Sequence, residues 1–396
     1  MRWFTCTPVA FGGGPDFFAR DSGLLCRGFQ ELGIESRAVM PGDPTPDDES
    51  DLIRTPYPNL ESPEWWKSHD LDGVVLYAWG SPGFRRVAAA IHHAGIRLVL
   101  NQDNGGLVSP LAGFLPWLEE QWILSGSGRG VPALLRFAGL TLRGLGPGLL
   151  RTDPLRRAHL RHGDVIACVS PKAAACYRRL CRFYGGRGMA ERVKVIPHSV
   201  EPLFRFQNGG KSKRIVCVGR WDDFVQKRPD RLATVLGGLL EEDPSVTISI
   251  VGKPSLPLRD WHQALPAPVK QRCELHGPLD RKSLAALLHD SWVFYSPSAY
   301  ESFGIAAAEA LCSGCSVVAG RSVSMASFEW FVSEDSGTLA DGPSTQSHLA
   351  ALRSELRAWE NKQRQPEQIA AVWGARLHAR EVAAAVLAEF DASPGS

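Results

Sequence analysis

Apolar positions fall along this chain in two alternating patterns: short continuous runs, then longer stretches with apolar residues every three or four places. The runs Trp3–Cys6, Ser36–Met40, Gly73–Ala78, Ile96–Asn101, Asp164–Ser170 and Val193–Pro197 read as strands buried on both faces. A helical pattern from about Asp16 to Leu32 is closed by Gly33. Glu201–Lys213, with Gly209-Gly210 and two lysines, reads as a linker. A second series follows, with strands Arg214–Gly219, Val246–Gly252, Trp292–Ser296 and Ser316–Ala319. Its helices run to about Glu242, over Arg281–His289 and over Phe303–Ser313, and a last helix spans about Pro366–Phe390. Strand and helix alternate twice over, which predicts an α/β protein of two doubly wound parallel sheets. The boundaries expected are residues 1–200, a linker 201–213, a second domain 214–365 and a C-terminal helix 366–396 returning toward the N-terminal domain.

Length agrees, since 396 residues exceed one ordinary core. Lys+Arg 44 against Asp+Glu 42 leaves a formal charge of +2, so no nucleic acid or other bulk electrostatic partner is expected. Nine cysteines, most within apolar runs, read as buried thiols of a reducing compartment. Cys312-Ser313-Gly314-Cys315 has C-x-x-C spacing but no second pair, and reads as a small-residue turn. The start, Met1 to Pro8, lacks a basic cluster followed by a long apolar run, and no run reaches the length of a membrane span. The expectation is a cytoplasmic protein.

The chemistry gathers late in the chain. Glu301 and Glu309 lie in Tyr300-Glu301-Ser302-Phe303-Gly304-Ile305-Ala306-Ala307-Ala308-Glu309, after an apolar strand and at the start of an Ala-rich helix. Ser302 is a good N-cap, and eight residues of helical rise would put the carboxylates roughly 12 Å apart. That is about the span from the hexose of a nucleotide-sugar to its ribose. The helix start between them, Ser302-Phe303-Gly304, offers free N–H groups to a diphosphate. Alone, two glutamates would be ordinary surface residues. Ahead of them, Arg220 leaves a strand end and Lys227 stands at the entrance to the next helix, two cations fit to clamp a diphosphate. Phe11-Gly12-Gly13-Gly14-Pro15 sits between strand and helix, where glycine lets backbone N–H groups approach a ligand, although a tight turn needs glycine too.

Together these segments resemble the Glu-x7-Glu signature of retaining GT-B glycosyltransferases, in particular glycosyltransferase family 4. The resemblance implies two Rossmann-like domains facing an interdomain cleft. It implies a hexosyl transfer from a nucleoside-diphosphate sugar, foremost a UDP-sugar, with no metal and no other cofactor. By it, Glu301 contacts the donor sugar, Glu309 the ribose, and Arg220 and Lys227 the diphosphate. Ser302, Phe303, Gly304, Gly13 and Gly14 belong to the donor site, and Leu279 and Leu287 flank the base, although ordinary core leucines fit those places nearly as well. The likeness is sharp over the last half of the chain and holds in outline before it. It departs in Leu98–Gly106, where Gln102 stands in place of the family's His and Asp103 is left to orient an acceptor hydroxyl. His198 replaces a common Asn, which bears on interdomain packing.

Two other readings stay open: a nucleotide-sugar epimerase of the same architecture, and a non-catalytic sugar-nucleotide or glycan-binding protein. The acceptor, whether glycan, lipid-linked or small molecule, is not legible. Asp70-Leu71-Asp72 precedes a strand and reads as surface, while Trp65-Trp66 offers a sugar-stacking pair. In the Leu134–Arg161 stretch, Arg136, Arg143, Arg151, Arg156, Arg157 and Arg161 interleave with leucines and Asp153 is the sole acid. It reads either as a partly exposed helical excursion or as a contact for an anionic acceptor or the inner face of a membrane.

Overall fold

The structure is a computed structural model that describes residues 1–126 and 130–391. The chain divides into two compact units: residues 1–121, 134–201 and 376–396, and residues 122–133 and 202–375.

The first unit is built on seven strands: β1 (Trp3–Cys6), β2 (Ala38–Pro41), β3 (Leu52–Thr55), β4 (Gly73–Tyr77), β5 (Arg97–Gln102), β6 (Val165–Cys168) and β7 (Val193–Val195). They form one parallel sheet in the order β3-β2-β1-β4-β5-β6-β7. The second unit holds β8 (Ser212–Val218), β9 (Thr247–Val251), β10 (Cys273–Leu275), β11 (Ser291–Ser296), β12 (Ser316–Gly320) and β13 (Gly337–Ala340). Its order is β10-β9-β8-β11-β12-β13, again all parallel. Both sheets reverse direction of winding once, between β1 and β4 and between β8 and β11. A ligand crevice opens outside the carboxyl ends of the strands at such a point.

Core residues explain the order. Val293 and Tyr295 of β11, Ile215 and Cys217 of β8, and Leu232, Val235, Leu236 and Leu239 of the helix Pro229–Glu242 form one buried cluster. In the first unit Trp3, Leu25, Phe29, Val75 and Val99 pack with Val382, Ala383 and Val386. The expected C-terminal helix is in fact two, Pro366–Leu377 and Ala379–Asp391, broken at His378 where Val200 donates to the Leu377 carbonyl. Residues 392–396 of that expected helix lie outside the described residues.

Other expectations shift for local reasons. The helix expected over Asp16–Leu32 is split into Pro15–Phe18 and Asp21–Glu31, with Asp21 at φ +50°. The stretch read as a linker already holds Ser212 and Lys213 in β8, and its Phe204 is fully buried with the Arg281 guanidinium 4.8 Å from its ring centre. Trp66 is fully buried and donates its indole N–H to the Leu60 carbonyl, so it is no stacking platform. All nine cysteines are free and buried, and Gly314 at φ +80° turns the chain between Cys312 and Cys315. Among the described residues no helix is long and apolar enough to cross a membrane, and no three His, Cys, Asp or Glu side chains group to hold a metal ion.

Candidate active site

At the winding reversal of the second sheet, the loops after β8 and β11 meet. Trp221 anchors the first loop, since its ring is buried and its N–H donates to the Val251 carbonyl at 2.9 Å. Beyond it the chain turns on Asp223, whose Oδ1 accepts from the Gln226 backbone N–H at 2.9 Å. The turn presents Gln226 and Lys227. Ala299 donates its backbone N–H to the Gln226 carbonyl at 2.7 Å, which ties the two loops together.

The Lys227 ammonium pairs with the Glu301 carboxylate. Glu301 also accepts from Ser298 Oγ at 2.8 Å and from Gln226 Nε2 at 3.3 Å. Its backbone is held as firmly, donating to the Ser324 carbonyl at 2.9 Å and accepting from Ala326 at 3.2 Å. A carboxylate with this many fixed partners has one orientation, as a group gripping a particular hydroxyl must. Arg220 is exposed and donates to Gln226 Oε1 at 3.2 Å, with Asp223 Oδ2 at 3.8 Å. Sequence reasoning therefore brought Arg220, Lys227 and Glu301 to one place but missed Gln226 and Ser298. Their only signal was adjacency, one residue before Lys227 and three before Glu301.

The helix after β11 begins later than expected. Its N-cap is Gly304, not Ser302, and the helix runs Ile305–Cys312. Gly304 sits at φ +83°, and a Cβ there would come within 2.7 Å of the Phe328 ring, so no other residue fits without strain. Glu301 consequently lies off the helix, and the spacing of roughly 12 Å by helical rise does not apply. Ser302 accepts at its carbonyl from Ser327 Oγ at 3.0 Å. The Phe303 ring is buried, with the Phe331 ring centre 5.2 Å away, which leaves only its backbone for a ligand. The first N–H groups of the Ile305–Cys312 helix have no intrahelical partner and carry its partial positive charge.

Glu309, expected at the ribose, is a buried carboxylate with an arginine partner. It is 3% exposed, and Oε1 accepts from Arg281 at 3.0 Å. Arg281 opens the helix Arg281–Asp290, which Asp280 caps by accepting from the Ser283 N–H at 2.9 Å. Nothing in the sequence marked Arg281, since an arginine in a first helical turn looks like surface. Leu279, just ahead of that cap, and Leu287, within the helix, are both half-buried.

In the first unit a cavity of about 490 Å³ opens at the winding reversal of the sheet, lined among others by Phe11, Gly12, Gly14, Asp16, Asp21 and Trp79. Gly14 lines it, but Gly13 does not. Gly13 is buried, and a Cβ there would lie 2.2 Å from Asp48 Oδ1, in the ion pair of Asp48 with Arg54, so its need for glycine is packing. Gln102 is fully buried and donates to the Leu100 carbonyl at 3.4 Å, too deep to touch an acceptor. Asp103 is occupied differently from expectation: His198 Nε2 lies 3.0 Å from its Oδ1, and His198 Nδ1 lies 3.9 Å from Asp21 Oδ1. Burial pulls the His198 pKa down, but the Asp103 charge and hydrogen bond, with Asp21, outweigh it and raise it to about 9. His198 is thus an imidazolium at neutral pH, locked within the first unit beneath a wall of the cavity. The sequence hinted at it only as an unusual residue.

Residues 201–372 match the family model described as Glycosyl transferases group 1. No curated protein matches the chain by sequence. Among solved structures the chain is similar to HepE of Anabaena, crystallised with UDP, at 14% identity over 99% of this chain and 100% of that one, with a TM-score of 0.61. It is similar to the sucrose-phosphate synthase of Thermosynechococcus elongatus, at 15% identity over 99% and 98%, with a TM-score of 0.62. A glycosyltransferase of Rickettsia africae aligns at 12% identity over 99% of both chains, with a TM-score of 0.63. Residues 201–372 are a glycosyl transferases group 1 domain on a GT-B scaffold, and the chain is a glycosyltransferase enzyme.

Proposed function

We propose that the chain transfers a hexosyl unit from a nucleoside-diphosphate sugar, a UDP-sugar foremost, to an acceptor hydroxyl with retention at the anomeric carbon. The observation that carries this reading is the joining of Lys227 to Glu301 across two adjacent strand ends at the winding reversal of the second sheet. HepE, crystallised with UDP and with UDP-glucose on the same fold, supports the choice of donor. In this reading Glu301 holds hydroxyls of the sugar. The Ile305–Cys312 helix start takes the diphosphate, and Glu309, set by Arg281, faces the ribose. The bond from the anomeric carbon to the phosphate oxygen breaks while the acceptor oxygen bonds on the same face. The acceptor proton passes to the departing phosphate oxygen, so no enzyme nucleophile is used. Lys227 and Arg220 stabilise the charge growing on that oxygen, the work a divalent ion performs elsewhere.

The cavity of the first unit supplies the acceptor side of the reading. Phe11 and Trp79, with ring centres 6.1 Å apart, offer apolar faces, and Asp16 and Asp21 offer hydroxyl acceptors. The test incubates the protein with UDP-sugars and a panel of glycoside acceptors, with chelator present. UDP release that depends on acceptor, with the new linkage keeping the donor's anomeric configuration, is the expected result. Epimerised sugar without acceptor would make the protein an epimerase. Binding with neither product would make it a sugar-nucleotide-binding protein. Turnover lost to chelation and restored by manganese would overturn the assignment of Arg220 and Lys227.

A further inference from the structure

Between residues 134 and 150 the chain folds with most of its leucines outward, while Leu160 and His159 beyond them are buried. A helix Val131–Arg143 continues through a wider π-helical segment, Gly144–Thr152, into the helix Asp153–Leu160. At 3.6 residues per turn, Leu134, Leu135, Ala138, Leu142 and Leu145 fall within an arc of about 100°. A surface helix of a globular domain turns such a stripe to the core. Here Leu134 is 56% exposed, Leu135 67%, Leu142 68% and Leu150 81%.

The polar partners of this stripe are of one sign. Arg136, Arg143, Arg151, Arg157 and Arg161 are exposed. Asp153, the sole acid between 134 and 161, is buried, where it pairs with Arg156 and accepts from Ser109 Oγ at 2.5 Å. The surface of the stretch therefore carries cations with no acid of its own, although the whole chain is nearly neutral. Where the stripe ends, a cavity of about 520 Å³ combines Arg157 and Arg161 with Leu111, Leu149, Tyr184 and the exposed ring of Phe183, and the one acid that lines it, Asp153, is answered by Arg156. Two guanidinium groups above an apolar wall suit a phosphodiester carrying an apolar tail.

We propose that this face is a docking surface for an anionic lipid bilayer. The leucine stripe lies in the plane of the interface, its side chains reach the acyl boundary, and the flanking arginines sit among the headgroup phosphates. A second copy of the chain is the poorer occupant, because a two-fold contact on this stripe would bring arginine-rich flanks together without an acid to answer them. The occupant is a surface and not a span, since no described helix is long and apolar enough to cross.

The test is co-sedimentation of the full chain with vesicles of phosphatidylcholine alone and with phosphatidylglycerol added. Sedimentation with the anionic vesicles, weakened by salt and at least tenfold poorer on the neutral ones, is expected. Leu142→Ser with Leu150→Ser should lower the partition by about tenfold per leucine, and Arg157→Glu with Arg161→Glu should abolish the preference for anionic vesicles. Both pairs lie on the surface, so melting temperature and nucleotide binding should stay at the wild-type values, which separates this outcome from misfolding. A wild-type chain left in the supernatant, or leucine variants that sediment like wild type, would overturn the proposal. So would a wild-type dimer in sedimentation velocity that the leucine variants turn into a monomer.

Discussion

Lys227 and Glu301 each answer the other's charge, so removing either leaves a part-buried group with weaker partners. Lys227→Ala and Arg220→Ala should each lower kcat by a few hundredfold, about 3–4 kcal/mol of transition-state stabilisation. The double variant should lose less than the sum, because both act on one developing charge. Arg228, the neighbouring cation, pairs with Asp230 at 2.7 Å and is the control: Arg228→Ala should keep kcat near wild type. The two glutamates should fail differently. Glu301→Ala should reduce kcat, while Glu309→Gln should raise the donor KM with kcat little changed. Glu309→Ala should add a loss of about 1–2 kcal/mol of stability, because Arg281 keeps its charge and loses its carboxylate. Calorimetry separates that loss from the kinetic one. The sequence reached these four residues by their types and order, but not their pairing. Gln226 and Arg281 come to the carboxylates only through the fold, one from a separate loop and one from a separate helix, while Ser298 stands three residues ahead of Glu301 in the same loop.

At the scale of elements, what matters is where each begins and ends. Gly304 starts the helix with a left-handed residue pressed on Phe328. Gly304→Ala should cost about 2–3 kcal/mol and weaken donor binding together. An unchanged melting temperature would show that the helix start is not held there. Strands buried on both faces were legible at once, since their apolar runs admit no other element of that length. The strands that escaped, Leu52–Thr55, Cys273–Leu275 and Gly337–Ala340, are all sheet edges. Edge strands are short and carry polar residues to discourage further pairing, which weakens their pattern. The division of the Asp16–Leu32 helix also escaped, because Asp21 at positive φ leaves no apolar signature.

At the scale of the whole molecule, pH and ligand test how the pieces act together. His198 is raised to about 9, so it binds its proton more tightly folded than unfolded. Its contribution, at most about 3 kcal/mol, is complete below pH 6.5 and is lost as pH rises toward 9. The melting temperature should fall across that window in the wild type and stay flatter in His198→Asn. Parallel curves would show that His198 carries no such linkage. UDP at about a hundred times its dissociation constant should stabilise the chain by about 2.7 kcal/mol, raising its melting temperature by several degrees. Composition, alternating pattern and the Arg220, Lys227, Glu301 and Glu309 spacing determined the α/β class, two parallel sheets and the half that matches the family model. Those features are local, set by side-chain period and chain order. Tertiary structure alone decided that Gly13 serves packing, that Gln102 is buried, that Asp103 belongs to His198 and that Leu134, Leu135, Leu142 and Leu150 face outward. Each of those depends on which distant residue arrives beside it, or on none arriving, and periodicity along one chain carries no record of that.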